Sequence, residues 1–304
     1  MSSRPTTTQG PIAPDGIVIV DKPAGVTSHD VVARMRRLAN TRKVGHAGTL
    51  DPMATGVLVI GIGRATRLLG YVAATDKAYD ATVRLGESTV TDDAEGEVVS
   101  TKSASAVDES DVRKHVQPLV GEIQQIPSSV SAIKVAGERA YARVREGKQV
   151  DLAPRTVVVS SLDTLRFARP TVDLVDVDIS VVCSTGTYVR ALARDLGESL
   201  GVGGHLTALR RTRVGSFGVQ RARSLERLAD ELEVIPPGEV AAACFPTLTV
   251  DTDIAQAVGH GKPQPIPSEL TDPGVVAVLT ESGTLVALMG PRDGMLRVLA
   301  GFTG

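Results

Sequence analysis

Tryptophan is absent from this chain of 304 residues, and tyrosine and phenylalanine occur only four times each. A core must be aliphatic, and every tyrosine is worth placing. The two cysteines, Cys183 and Cys244, form no CxxC pair and no framework, which excludes a disulfide-stapled scaffold. They read as buried thiols in a reducing compartment. The five histidines show neither HxxxH nor HExxH spacing, so no dedicated metal site is expected. No run approaches the about 20 apolar residues of a membrane span. The opening MSSRPTTTQGPIAPDG has no apolar signal core. Residues 1–14 read as a disordered arm, and a cytoplasmic location is expected. Internal repeats are absent too.

Acids are missing from two stretches, although the whole chain carries 35 acids against 33 bases and a net charge of −2. Residues 31–50 hold Arg34, Arg36, Arg37, Arg42 and Lys43 and no acid. Residues 202–225 hold Arg210, Arg211, Arg213, Arg221 and Arg223 and no acid. Acids gather elsewhere, as at Glu87, Asp92, Asp93, Glu95 and Glu97. Such segregation lets a neutral protein offer a basic face to a nucleic acid. The alternative is ordinary solvated surface charge.

What is present is a mixed order of elements. GIVIVDKPAG (16–25) reads as a buried strand ending in a Lys-Pro turn. Thr27 or Ser28 then caps a helix with Val31, Val32, Met35 and Leu38 on one face. Residues 40–53 have no period and contain Gly45, Gly48 and Pro52, so they read as a loop. A strand at 55–63, a helix at 65–74 and an alternating strand at 77–86 follow. Residues 108–121 read as a helix capped by Asp108 or Ser110. Strands at 155–167 and 172–184 are joined by a short link, as antiparallel neighbours would be. A helix at 187–201 ends on glycine. The expectation is an α+β fold around a mixed, largely antiparallel sheet with flanking helices. EVIPPGEV (233–240) reads as a linker, and 241–304 as a small all-β module with six acids against three bases.

Asp51 stands alone between a basic loop and an apolar strand. An aspartate before proline is most often a turn residue. Held rigidly near basic groups, however, an ionised carboxylate suits nucleophilic attack better than acid catalysis. No second acid lies close in sequence, which weakens a glycosidase pair and a two-metal site. Arg190 falls in the first turn of a helix, where a cation is disfavoured unless a carboxylate meets it. Asp51 is a candidate partner. Tyr79 alternates with Ala81 and Val83 on one strand face, as a core residue or as a platform for a base.

These stretches resemble, in order, the motifs of the TruB-type tRNA pseudouridine synthases. DKPAGVTSHDVV (21–32), GHAGTLDPMATGVL (45–58), KAYDATVRLG (77–86), IPSSVSAIKVAGERAYARVREG (126–147), CSTGTYVRALARDLG (183–197) and GGHLTALRRTRVGSF (203–217) carry the resemblance. It spans residues 16–226, within a catalytic domain taken as 15–232, and the last 60 residues are similar to a PUA-type RNA-binding module. The resemblance implies isomerisation of uridine to pseudouridine at position 55 in the tRNA T-loop, without metal or cofactor. No self-complementary apolar stripe stands out in the sequence, so a monomer is expected. It implies Asp51 as the nucleophile, attacking either the sugar or the uracil ring, and Arg190 as its ion-pair partner. It implies Tyr79 packed on the flipped uracil and helping remove the C5 proton, Leu209 in the base pocket, and Lys22 near the site supporting Tyr79. His46 would fill the space the base leaves. Arg42, Lys43, Arg210 and Arg211 would meet phosphates.

Val130 stands where the family often has an aromatic residue, and Val90 where it usually has an aspartate. Two rivals remain at this level. A protein that only binds RNA would share the basic clusters but gain nothing from Asp51. An aspartate-dependent nucleoside or sugar hydrolase would have no need of them.

Overall fold

The apolar runs at 16–20 and 57–62 are continuous rather than alternating, and the structure covers both of their faces. The computed structural model describes residues 11–128, 134–135, 138–139, 152–270 and 274–303. Most of the N-terminal arm, Val130 and most of the 126–147 motif lie outside the described residues.

Strand β1 (Gly16–Lys22) leads through a Lys-Pro turn into helix α1 (Ser28–Leu38). Thr27 is the N-cap, and it forms a reciprocal box with Asp30. The segment expected as a loop contains a short strand, β2 (Val44–Ala47), before β3 (Thr55–Ile62). Its glycines and its mixed polarity hid it. Helix α2 (Leu69–Ala74) and β4 (Lys77–Leu85) follow, then a hairpin of β5 (Glu87–Thr89) and β6 (Val98–Thr101). Helix α3 (Glu109–Val116), capped by Asp108, precedes β7 (Gly121–Gln125). The two-residue strands β8 (Lys134–Val135) and β9 (Glu138–Arg139) pair with each other. The long antiparallel pair is β10 (Arg155–Ala168) and β11 (Val175–Cys183). Helix α4 (Val189–Ser199), β12 (Gly204–Val214), β13 (Phe217–Gly218) and helix α5 (Leu225–Asp230) complete this part.

The large sheet has the order β1-β3-β12-β4-β11-β10-β7, with β2 on β3 and β13 on β12. The β3–β12 contact is parallel and confined to Thr55–Arg210 and Gly56–Arg211; the other described pairs of this sheet are antiparallel. At its other end the same edge of β3 pairs with β2, from Val59 to Ile62. Residues 48–54 therefore cross from β2 to β3 where β3 exchanges one neighbour for the other. That crossing carries Asp51.

One sheet face buries Val18, Val20, Leu58, Ile60, Val83 and Ile179 beneath α1, α3, α4 and α5. The opposite face buries Ile17, Ile19, Val57 and Val59 with Leu68 and Leu69. Fully burying each such aliphatic group is worth about 1.5–3 kcal/mol, so neither face can be left open cheaply.

The C-terminal module closes the second face. Helix α6 (Pro237–Cys244) precedes β14 (Thr247–Val250), helix α7 (Thr252–Gly259), β15 (Gln264–Pro265), β16 (Val276–Thr280), β17 (Leu285–Arg292) and β18 (Met295–Gly301). Its sheet order is β14-β16-β17-β18-β15. Ala277, Leu279, Leu285, Leu288 and Phe302 share one core with Ile17, Val57 and Leu68. The segment expected as a linker is docked: Ile235 and Ile17 exchange backbone hydrogen bonds of 2.8 and 2.9 Å, and α6 starts within it. Among the described residues no helix is long and apolar enough to cross a membrane.

Candidate active site

The loop from Gly48 to Ala54 is held by side chains at nearly every residue around Asp51. Ser28 Oγ donates to Leu50 O (3.0 Å) and accepts from Leu50 N–H (2.9 Å), which is why this helix-start serine is buried rather than capping. Lys22 Nζ donates to Pro52 O (3.1 Å) and Pro23 O (2.9 Å), and Gly25 N–H also donates to Pro52 O (2.9 Å). Arg211 donates from Nη2 to Gly48 O (3.0 Å) and from Nε to Val57 O (2.7 Å). Gly48 adopts φ +88°, where a side chain would be strained. The loop's polar backbone is thus bound inward, and the Asp51 side chain stays 39% exposed.

Arg190 meets it. Arg190 Nε lies 3.1 Å from Asp51 Oδ2. The guanidinium also reaches Asp93 Oδ2 (3.4 Å, Nη1) and donates to Thr91 O (2.9 Å, Nη1). The Arg190 and Asp93 side chains are 6% and 3% exposed. A cation in the first turn of α4 is opposed by the helix dipole, and two carboxylates offset that. Arg194, one turn on, holds Asp92 (3.3 Å), so α4 grips the 89–96 turn twice. The sequence reading passed over Asp93, which lay in an acidic turn with nothing to single it out. The available signal was Arg190: a buried fork needs more than one acceptor.

Tyr79 sits on β4 directly across from Arg211 on β12, and Leu209 is across from Ala81. Tyr79 and Leu209 are each 8% exposed and belong to the same core face. Burial raises the Tyr79 pKa, partly opposed by the nearby Arg211 charge. Lys22 is fully buried, and desolvation lowers its pKa to about 8 against the pull of Glu95 and Asp51. Its hydrogen-bond acceptors are Pro52 O in the loop that carries Asp51 and Pro23 O in its own turn, so it supports that loop from behind, whereas the resemblance implied support of Tyr79. Burial, then the like charges of Asp93 and Asp51, raises the Glu95 pKa. His46 is half-buried on β2, edge-on to His29 with ring centroids 5.7 Å apart. Burial and the charges of His29 and Arg211 lower its pKa, and its Nδ1 is buried without a hydrogen-bond partner. A cavity of about 540 Å³ borders this region at Met53, Thr55 and Leu209, yet neither Asp51 nor Tyr79 lines it. The Asp51–Arg190 pair thus lies outside that cavity's lining.

The basic clusters fare differently in space. Arg42 and Lys43 are exposed beside β2. The second cluster is acid-free only in sequence. Arg210 pairs with Asp21 (2.8 Å), Arg213 with Asp76 (2.7 Å), Arg221 with Glu239 (2.6 Å) and Arg223 with Glu233 (2.9 Å). Arg211 is 1% exposed, so its expected phosphate contact is corrected: its fork is turned into the sheet.

The family model described as TruB family pseudouridylate synthase, N-terminal domain, matches residues 36–189. The chain belongs to the TruB family of pseudouridylate synthases. Two further models, tRNA pseudouridylate synthase B C-terminal domain and tRNA pseudouridine synthase II, C terminal, match residues 190–237 and 245–303. Proteins named tRNA pseudouridine synthase B are similar throughout. The one from Arthrobacter sp. (strain FB24) is 58% identical over 287 residues, covering 92% of this chain and 94% of its own. That from Thermobifida fusca is 54% identical over 293 residues, covering 95% and 99%. Among solved structures, a Cbf5-Nop10-Gar1 complex contains a chain that superposes with a TM-score of 0.72 at 26% identity, covering 95% of this TruB-family chain and 85% of that one. An H/ACA RNP bound to a substrate RNA containing 2'-deoxyuridine gives a TM-score of 0.70 at 25% identity.

Proposed function

We propose that this TruB-family enzyme isomerises uridine to pseudouridine in tRNA, at position 55 of the T-loop, with Asp51 as its nucleophile. The observation that carries this is the Asp51–Arg190 pair: a carboxylate fixed at 3.1 Å by a buried guanidinium, yet itself open to a substrate. The names of the relatives support tRNA as the substrate, and the register of the motifs supports the T-loop position.

A base stacked in RNA is out of reach of this loop, so the target is flipped out at a cost of a few kcal/mol. His46, on a β2 held by β3, fills the gap. Arg42 and Lys43 flank that strand and neutralise phosphates. Tyr79 and Leu209 form the platform against which the uracil rests. Asp51 attacks the nucleotide at the sugar or at the ring, and the C1′–N1 bond breaks. The uracil turns, a C1′–C5 bond forms, the C5 proton leaves to solvent with Tyr79 assisting its removal, and N1, freed from the sugar, takes a proton from solvent. Asp51 departs as it arrived. Arg190 contributes orientation and charge throughout, being already in place before the reaction.

The test uses tRNA transcripts tritiated at C5 of uridine. A transcript with uridine at position 55 should release about one equivalent of tritium to water; one with cytidine there should release none. Equal release from both would remove the site assignment.

A further inference from the structure

Arg211 is the largest of the fully buried side chains, and it is a cation. Its neighbours on the strand, Arg210 and Arg213, each have a carboxylate. Among the described residues no carboxylate forms an ion pair with Arg211. Burying an unpaired charge costs several kcal/mol, and an apolar side chain of similar volume would fill the space without that cost. The guanidinium's donors account for the charge. Nε goes to Val57 O (2.7 Å), Nη2 to Gly48 O (3.0 Å), and Nη1 faces Thr49 O (3.5 Å). Tyr79 lies directly across the sheet from Arg211, near enough for that charge to act on its hydroxyl. Arg211 thus ties the start of the crossing that carries Asp51 to the strand it leads into, beside the tyrosine that faces the base. Its own backbone is locked between β3 and β4: it pairs with Gly56 on one side and Tyr79 on the other. A Cβ on Gly56 would lie 2.2 Å from Arg211 O, so only glycine lets the strands approach there.

We propose that Arg211 is a positioning residue for the isomerisation, setting the nucleophile loop and the Tyr79 hydroxyl in one register from inside the sheet. The proposal rests on the roles given above to Asp51 and Tyr79. It requires the planar fork and not merely a positive charge. A lysine ammonium is a single point and cannot span Gly48 O and Val57 O as the fork does.

Arg211→Lys is the test, read by single-turnover tritium release, tRNA affinity at several salt concentrations, and amide hydrogen exchange across residues 48–57. The rate should fall about 10- to 100-fold, the loss expected when reacting groups shift by about 1 Å. Affinity should stay within about twofold with an unchanged salt slope, and exchange in the loop should quicken. Combined with Tyr79→Phe, the loss should be smaller than the product of the two single losses, because the two are direct neighbours across the sheet. Weakened binding with a salt slope shallower by about one would make Arg211 a phosphate contact and overturn the proposal. Unchanged rate and unchanged loop exchange in a less stable protein would make it filler and overturn it equally. Should Arg211→Lys not fold, Arg211→Gln, which keeps two donors, faces the same readouts. If the wild-type protein forms no pseudouridine, the proposed function has failed, and loop exchange alone then decides whether Arg211 holds the loop.

Discussion

Replacing Arg190 by methionine removes the one group that touches Asp51, Asp93 and Thr91 at once. Asp93, 3% exposed, would be left as a buried carboxylate without its cation. Breaking a buried pair in this way costs about 3–5 kcal/mol. Asp93 Oδ1 keeps two donors, the Thr91 hydroxyl and the Glu95 N–H at 3.0 Å, so the low end, about 3 kcal/mol, is expected. For a chain of this size that corresponds to a fall in Tm of about 5 °C. Asp51 is 39% exposed and would not be trapped, but its carboxylate would lose its fixed orientation. The single-turnover rate should drop about 100-fold or more, by the same arithmetic of misplacement. Arg190→Lys separates the two effects: it keeps the charge near Asp93 but cannot span three acceptors. It should recover most of the stability and little of the rate. Differential scanning calorimetry and tritium release on the same preparations give both numbers. A stable Arg190→Met protein with a rate within about threefold of wild type would refute the reasoning.

Other expectations follow from the same contacts. Arg42→Ala with Lys43→Ala should weaken tRNA binding and flatten its salt slope by about two, whereas Arg210→Ala should change the slope far less because Asp21 already takes that charge; equal effects would contradict the assignment. Tyr79→Phe should bind tRNA normally but isomerise slowly, and full activity would leave Tyr79 as packing alone. Burial lowers the Lys77 pKa to about 8 from 10.5, with its Nζ on Ala73 O (2.7 Å) and Thr75 O (2.6 Å). Between about pH 8 and 10.5 the unfolded chain then binds more protons at this residue than the folded one, so its contribution to stability rises with pH. Urea midpoints taken from pH 8 to 9, below the range where the buried Cys183 thiol titrates at about 11, should rise less in Lys77→Met than in wild type. A steeper rise in the variant would overturn the sign.

The parts of the fold legible in the sequence were those where a single rule governs. The Thr27 cap and the spacing of Val31, Val32 and Met35 mark α1, and alternation marks β4 and β11. Where rules conflict, legibility fails. Strand β12 sits in the middle of the sheet yet carries His205, Arg210, Arg211 and Arg213, which no hydrophobic period would place there. Its arginines looked like an RNA-facing patch because the acids that neutralise them, Asp21, Asp76, Glu233 and Glu239, come from other elements. Charge segregation along a chain is not charge segregation in space. The site shows the same division. Asp51 and Arg190 were legible from their anomalies, a lone carboxylate and a cation at a helix start. Asp93 was not, because its burial is created by α4 packing on a distant turn.

The most direct measurement of the central claim compares wild type with Asp51→Asn for tritium release from C5-labelled tRNA, with tRNA binding measured alongside. The substitution keeps the shape and removes the nucleophile. The account predicts about one equivalent released by the wild-type enzyme, none by the variant, and tRNA bound by both. Release by Asp51→Asn at a rate near that of wild type would contradict it.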